Sequence, residues 1–350
     1  MAKVVIEDLS GTSTPVTSNP YDGILQACNN DPKLIQDRYH QHRITRNQQQ
    51  KEKILSDNFS GWALDEHLVK LDGHKRDPNY IDPRNCLVFW ARPTEKVKSL
   101  IESIQQKLKA VAPDLWLMPA PNLHMTALEV THSLTVSEIN ELVNKLLPSS
   151  KQIADYPSTP SHQARLIKPM LSYDAAALAL SFVPAAGEVL SPTPTTTTSA
   201  SASSSTEETA KASSQRTLSD DTFTYHHLRR DLYTLTSASI SVGSRYVVPS
   251  AHLTIARFNS PNPFASSSDP SSDPLDATAG LTIDARRHWI HEIEAINKWL
   301  ETEYWPTGTS TQIRAGGEWI IGDEKGLDLR RGTLWYGGGE SIYQGKAREV

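Results

Sequence analysis

The sequence predicts an α+β protein, in which short strands alternate with helices that are apolar on one face. An apolar run over 85–91 is typical of a buried strand, and apolar residues recur at helical spacing after Pro93. The same order of strands and one-sided helices returns in the second half of the chain and ends with a long amphipathic segment at 283–303. This alternation favours the α+β class.

In chain order, residues 1–20 are rich in Ser, Thr and Pro and are expected to be disordered. A polar helix is predicted from Asp31 to about Ser56, so that 21–83 forms an N-terminal helical extension that ends in a loop at 72–84. The next predicted elements are a strand at 85–91, a helix from Pro93 to Val111, strands at 115–118 and 123–130, and a helix that is capped by Thr135 or Ser137 and runs through Leu147.

The second half repeats this order less regularly. Residues 187–219 have no large apolar residue between Leu190 and Leu218, which predicts a disordered Ser/Thr-rich insertion, and 260–280 is predicted to be a smaller loop. The remaining predicted elements are strands at 164–171 and 176–183, a helix at 223–237, strands at 246–248 and 252–258, a helix at 283–303, and strands at 319–321 and 333–336 that close the sheet.

Composition limits the classes of function. The net charge of −5 argues against a partner that is an extended nucleic-acid duplex, and fits a small cyclic nucleotide or an RNA 3′ end better. The two cysteines, Cys28 and Cys86, support no disulfide framework and suit a reducing compartment. No secretory signal is evident, and no apolar run approaches the roughly twenty residues that cross a membrane, so a cytoplasmic or nuclear location without membrane contact is expected.

Two predicted strands each carry a histidine followed two residues later by a threonine: Asn122-Leu-His-Met-Thr-Ala-Leu-Glu-Val130 and Ser250-Ala-His-Leu-Thr-Ile-Ala-Arg-Phe258. Because residues i and i+2 of a strand point to the same face, each histidine is expected to project together with its threonine. In both segments an apolar residue follows the histidine, an apolar run follows the threonine, and a Pro-marked loop precedes the histidine. The paired context, rather than the bare spacing, makes the motif informative.

These segments resemble the two-histidine (2H) phosphoesterase superfamily, in particular its branch of LigT and RNA ligase/cyclic nucleotide phosphodiesterase-like proteins. The resemblance covers about residues 84–340 and includes a family-like tail at Gly317–Gly322 and Leu334–Gly339. It implies two pseudo-symmetric lobes, each an antiparallel sheet with helices on its outer face, and an active cleft between them. The first lobe would span about 84–160 with part of the C-terminal segment, and the second about 161–340.

The resemblance implies a phosphodiesterase that hydrolyses a 2′,3′-cyclic nucleotide or an RNA-terminal phosphodiester. One of His124 and His252 would act as the general base and the other as the general acid, and the sequence does not assign the two roles. Thr126 and Thr254 would donate hydrogen bonds to the phosphate oxygens. Neither a metal nor another cofactor is expected, because hydrogen bonds would stabilise the negative charge that develops on the phosphate oxygens.

Five further residues are candidates for substrate contacts. Strict alternation places Arg257 on the strand face opposite Thr254, which favours a structural ion pair unless the strand bulges. Tyr246 is a candidate for contact with the phosphate or the base. The aromatic rings of Trp90, Trp335 and Tyr336 are candidates for stacking on a nucleobase, with core packing as the simpler interpretation.

Other motifs have simpler explanations. The segment Lys70-Leu-Asp-Gly73 matches the lysine motif of nucleotidyltransferase ligases, but it is expected to be a turn. The pairs His288/His291 and His226/His227 are expected to be solvated rather than metal ligands. Two alternatives to the phosphodiesterase therefore stay open: a non-catalytic nucleotide or RNA-end binding module of the same fold, and a lysine-adenylating ligase built on Lys70.

Overall fold

The computed structural model describes residues 7–8, 18–188, 221–244, 246–265, 272–306 and 314–348, and within them the chain has the α+β fold that the sequence predicts. The helices are α1 (Asp22–Ala27), α2 (Pro32–Leu55), α3 (Glu66–Asp72), α4 (Glu95–Val111), α5 (Val136–Asp155), α6 (Tyr225–Ser237), α7 (Ala277–Gly280) and α8 (Ile283–Tyr304). The strands are β1 (Glu7–Asp8), β2 (Asn85–Ala91), β3 (Trp116–Leu117), β4 (Met125–Leu134), β5 (Arg165–Tyr173), β6 (Ala177–Pro184), β7 (Tyr246–Val247), β8 (Ala251–Arg257), β9 (Glu318–Ile320), β10 (Asp328–Thr333) and β11 (Glu340–Gln344).

Two antiparallel sheets organise the described chain. The first has four strands in the order β11-β10-β2-β4, and helix α5 packs against β2 and β10. The second has five strands in the order β3-β8-β6-β5-β9, with helices α2 and α8 packed on it. Strands β1 and β7 form a separate two-residue parallel pair. Strand β3 lies in the range predicted for the first lobe but joins the second sheet.

The N-terminal extension packs directly on the second sheet. Asp31 caps helix α2 by accepting hydrogen bonds from two backbone N–H groups of its first turn. On the buried face of the helix, Arg43 donates to the carbonyl of Lys168 and Asn47 donates to the carbonyl of Leu171, both in β5. This polar helix is therefore held by hydrogen bonds to strand carbonyls as well as by apolar packing, and it borders the face of the sheet beside the second motif.

Most predicted elements coincide with observed ones, but strand β4 and helix α5 continue past their predicted ends and one predicted strand is absent. Helix α5 begins after a capping box at Thr135 and continues past Pro148 to Asp155, because Ile153 and Ala154 of its last turn are buried in the core. The strand predicted at 333–336 is wrong. Only Thr333 belongs to a strand, and the chain then turns through Gly337 and Gly339, which have φ of +84° and +69°, into β11. Glycine tolerates these φ values, whereas the apolar residues before it suggested a strand.

Several predicted segments lie partly outside the described residues. Of the insertion predicted at 187–219, only 187–188 are described, and of the disordered terminus predicted at 1–20, only 7–8 and 18–20 are. The loop predicted at 260–280 contains the short helix α7. Residues 266–271 of this loop lie outside the described residues. Among the described helices, none combines the length and apolar character that a membrane span requires.

Candidate functional site: a cleft between two histidine strands

The two motifs meet at one cleft. Strand β8 carries His252, and β4 begins directly after His124, and these two strands contact each other across the sheets. A cavity of about 170 Å³ between them is lined by all four motif side chains. The other residues of its wall are apolar or charged: Cys86, Val88, Trp90, Glu129, Arg257, Leu334 and Trp335. The structure therefore brings together the His-x-Thr pairs that the sequence separates by more than a hundred residues.

Each motif strand bulges directly after its threonine. In β4, Thr126 lies opposite Trp90 and Leu128 lies opposite Phe89, so that one residue of β4 is left over. In β8, Thr254 lies opposite Ala179 and Ala256 lies opposite Leu178, with the same excess of one residue. A bulge shifts the alternation of side chains by one position. Consequently the third residue after each threonine, Glu129 in one strand and Arg257 in the other, lines the cleft.

His124 is held tightly. Its imidazole stacks on the indole of Trp90, with ring centroids 3.7 Å apart, and its Nδ1 lies 2.7 Å from the carbonyl oxygen of Asn122. Because a carbonyl only accepts, Nδ1 carries the proton, and Nε2 is the nitrogen available to the cleft. Burial lowers the pKa of His124 to about 3, and the nearby guanidinium groups of Arg92 and Arg330 act in the same direction.

The glycine-rich turn after β10 fixes the position of Asn122. The Asn122 side-chain amide donates to the carbonyl of Tyr336 at 2.9 Å. At Gly337, which has φ of +84°, a Cβ atom would lie 2.1 Å from the Cβ of Asn122. Only glycine therefore allows this close approach. The predicted tail at Leu334–Gly339 thus acts through Asn122 on the hydrogen bond of His124.

His252 is more open. The side chain is exposed, and its Nδ1 lies 2.9 Å from the hydroxyl of Ser250, which is able to donate or to accept. The side chain lines the cleft and two adjoining cavities. Partial burial lowers the pKa of His252, and the positive charge of Arg229 adds to this effect.

Arg229 of helix α6 ties the two motif strands together. It is 7% exposed and donates to the carbonyl of Ala127, at the bulge of β4, and to that of Val248, just before β8. It also donates to the hydroxyl of Tyr21 in the N-terminal extension. These bonds fix the bulged backbone of β4 relative to the segment that leads into β8 and His252. Arg229 therefore positions both motifs without being part of either.

The threonine hydroxyls face the cleft. Thr126 is exposed, Thr254 is half-buried, and neither hydroxyl makes a hydrogen bond to another side chain or carbonyl in the described part of the chain. Each hydroxyl is therefore available to donate to an oxygen atom of a bound group.

The expected structural ion pair of Arg257 is not found. The bulge in β8 overrides strict alternation, and Arg257 lines the cleft on the same face as Thr254. Its guanidinium lies 5.6 Å from the ring centroid of Tyr336, its Nε is buried without a hydrogen-bond partner, and no carboxylate of the described residues pairs with it. Arg257 is thus a cation directed at the site.

The four aromatic candidates for substrate contact differ in where they lie relative to the cleft. Trp90 is 1% exposed and one face of its ring is covered by His124, so it packs in the core, which was the simpler of the two interpretations. Trp335 is half-buried and lines the cleft. Tyr336 does not line this cleft, because its hydroxyl bonds to Arg84 and its ring contacts Arg257. The side chain of Tyr246 lies outside the described residues, although its backbone forms β7.

The remaining motifs lie away from the cleft. Lys70 is in the last turn of helix α3 rather than in an isolated turn, and its ammonium packs over the ring of Tyr80. His288 and His291 are exposed on α8, as expected.

The expectation that His226 and His227 are solvated is wrong. Both are buried on the inner face of helix α6, where His226 bonds to the hydroxyl of Tyr39 and His227 to Thr224. Among the described residues, no cluster of His, Cys, Asp or Glu has the arrangement of a metal site.

Sequence reasoning missed the residues that position the motifs, chiefly Asn122 and Arg229, because they act through backbone carbonyls. It also assigned no role to Glu129. The available signal was that both motif strands place a charged residue three positions after the threonine, within an otherwise apolar run.

No protein-family model matches the chain, and a search of curated proteins finds no significant match.

Proposed function

We propose that the chain is a two-histidine phosphodiesterase that hydrolyses a 2′,3′-cyclic nucleotide or the cyclic phosphate at an RNA 3′ end. The observation that carries this proposal is the convergence of both His-x-Thr pairs and Arg257 on one cleft. The two imidazoles can transfer protons. The two hydroxyls and the guanidinium can stabilise the negative charge that develops on the oxygens of a phosphorane-like transition state. The sheets that carry His124 and His252 would then belong to the two pseudo-symmetric lobes. The enzyme would act in the cytoplasm or the nucleus.

In the proposed reaction, a base removes a proton from water as its oxygen forms a bond to phosphorus. The P–O bond to one ribose oxygen breaks, and an acid delivers a proton to that oxygen. The Thr126 and Thr254 hydroxyls would donate hydrogen bonds to the non-bridging oxygens, whose negative charge increases as water adds to phosphorus. The positive charge of Arg257 would offset this negative charge. Because this charge is met by protein donors, we expect turnover to persist in a chelator.

The differences between the two imidazoles favour His124 as the base and His252 as the acid. His124 is enclosed beneath Trp90 and kept neutral, with its Nε2 lone pair available. His252 is open to the cleft, where the anionic phosphate of a substrate would stabilise its protonated form.

The direct test is turnover of the 2′,3′-cyclic nucleotides of A, C, G and U and of a cyclic-phosphate-ended oligoribonucleotide, in chelator. His124→Ala and His252→Ala should each reduce kcat by roughly a hundredfold or more. His291→Ala, at an exposed histidine of α8, is the matched control and should turn over normally. Full activity in the double variant of His124 and His252 would refute the proposal.

The roles of the two histidines can be separated with a p-nitrophenyl phosphodiester, whose leaving group needs no proton. On this substrate His252→Ala should regain most of the lost rate and His124→Ala should not. The reverse pattern would exchange the assignments.

A binding module of the same fold is the second candidate. Both imidazoles have lowered pKa values, so the free protein holds little of the protonated acid at neutral pH. Tight binding of a nucleoside 3′-phosphate with no turnover of any cyclic substrate between pH 5 and 8 would favour it.

A further inference from the structure

A second cavity, of about 570 Å³, adjoins the two-histidine cleft. It shares His252, Thr254 and Arg257 with the cleft, and helix α2 of the N-terminal extension contributes part of its wall through His42 and Arg46. The extension, to which the sequence assigned no role, therefore borders the site.

Small side chains on strand β6 keep this cavity open. Ala177 lies opposite Arg257 in the sheet, and Ala179 lies opposite Thr254. Both alanines line the cavity on the same face as the motif residues. A larger side chain at either position would fill the space between the phosphate-binding threonine and helix α2.

The cavity has an excess of positive charge. Arg46 is exposed and makes no ion pair with a described residue, and Arg43, which is 4% exposed, bonds to strand carbonyls while its Nε has no partner. No described carboxylate pairs with Arg43. Because a buried charge without a counter-charge is costly, an anion bound in the cavity would be stabilised by this guanidinium. One carboxylate, that of Asp174, lines the cavity, and it accepts hydrogen bonds from two backbone N–H groups of its own turn.

We propose that this cavity binds a second phosphate group of the substrate, with Arg46 as its principal contact and His42 and Arg257 beside it. This inference rests on the proposed function of the cleft and narrows its substrate class. The preferred substrate is a ribonucleotide with a phosphate in addition to the cyclic one. That phosphate is either the linkage to a preceding nucleotide or a free 5′-phosphate, and both present anionic non-bridging oxygens to the guanidinium groups.

The test compares dissociation constants, measured by calorimetry, of a nucleoside 3′-monophosphate and the matching nucleoside 3′,5′-bisphosphate. The protein should bind the bisphosphate at least tenfold more tightly. Arg46→Gln should remove most of that gain and leave the affinity for the monophosphate unchanged. Arg38→Gln is the matched control, because Arg38 is an exposed arginine of the same helix that does not line the cavity.

Equal affinities for the two ligands would overturn the proposal, and so would an equal loss for both ligands in Arg46→Gln. A dinucleotide with a 3′-phosphate distinguishes the two sources of the phosphate. A gain for the dinucleotide indicates an RNA end, and a gain for the bisphosphate alone indicates a 5′-phosphorylated mononucleotide. Turnover of a cyclic mononucleotide, measured in parallel, tests the proposed function separately, since the binding ratio does not depend on catalysis.

Discussion

The indole of Trp90 stacks on the imidazole of His124, with ring centroids 3.7 Å apart and an interplanar angle of 15°. Trp90 also lies opposite Thr126 in the pairing of β2 with β4. One buried side chain thus contacts the first histidine and lies beside the threonine of the same motif. The stack fixes the plane of the imidazole and excludes water from one of its faces, which explains its lowered pKa.

Trp90→Phe should loosen this arrangement without emptying the core. A smaller ring covers less of His124, so the pKa of His124 should rise from about 3 towards its ordinary value, and kcat should fall about tenfold or more. Imidazole NMR titration of the variant measures the first effect. Trp299→Phe, on helix α8, is the control and should change neither quantity. An unchanged His124 pKa in Trp90→Phe would show that the stack does not set it.

Gly337→Ala should impair the site from the neighbouring turn. A methyl group there would collide with Asn122, whose carbonyl accepts from His124, so we expect a loss of stability of about 1–3 kcal/mol and a lower kcat per folded molecule. Gly61→Ala provides the comparison, because Gly61 also has a positive φ but a Cβ there meets only Leu281, at 3.7 Å. Chemical denaturation and active-site-normalised rates separate the two effects. Equal kcat values for the two variants would contradict a positioning role for the turn.

The contrast between the two motifs and their surroundings shows what the sequence can predict. The apolar run of β2 and the apolar spacing of α4 are local patterns, and both were predicted within two residues of their observed limits. The positions of Glu129 and Arg257 depend on bulges, which are set by pairing with β2 and β6. The only local sign of them is the charged residue three positions after each threonine, and alternation alone assigns that residue to the wrong face. The support of His124 by Gly337 through Asn122 joins residues more than two hundred positions apart and is equally invisible to local periodicity.

The pH dependence of catalysis should reflect the two lowered pKa values rather than titration near neutrality. The active free enzyme holds one proton on the histidine pair, and this form becomes scarcer as the pH rises above both pKa values. We therefore expect kcat/KM to fall with rising pH between about 5 and 8. In the complex the phosphate anion raises the imidazole pKa, so kcat should stay level to a higher pH. A kcat/KM that increases through this range would contradict the lowered values.

Acid should destabilise the fold through His226. This residue is fully buried, and burial lowers its pKa from 6.5 to about 3. Between these values the unfolded chain binds a proton that the folded chain does not, so this contribution to stability is complete above pH 6.5 and is lost as the pH falls. Each such histidine removes roughly 1.4 kcal/mol of unfolding free energy per pH unit.

Urea denaturation of the wild type and of His226→Gln at pH 7 and pH 5 measures this contribution. The variant should be less stable at pH 7, because it loses the bonds to Tyr39 and Tyr21, and it should depend less steeply on pH. His291→Gln, at an exposed position, should keep the wild-type slope. Identical slopes in all three proteins would assign the acid sensitivity to other groups, among them His227, whose pKa burial lowers to about 4.

Arg257→Gln distinguishes the two interpretations of this residue. A structural ion pair would make the substitution destabilising and leave catalysis intact. The observed guanidinium has no described carboxylate partner and a buried Nε without a hydrogen bond, so its removal should leave the thermal midpoint unchanged or higher. The same change should reduce kcat/KM roughly a hundredfold, because a charge that faces the phosphate is lost. Arg331→Gln, which breaks an ion pair with Glu340 outside the cleft, is the control and should leave kcat/KM intact. A destabilised Arg257→Gln protein with normal kcat/KM would restore the ion-pair interpretation and remove Arg257 from the site.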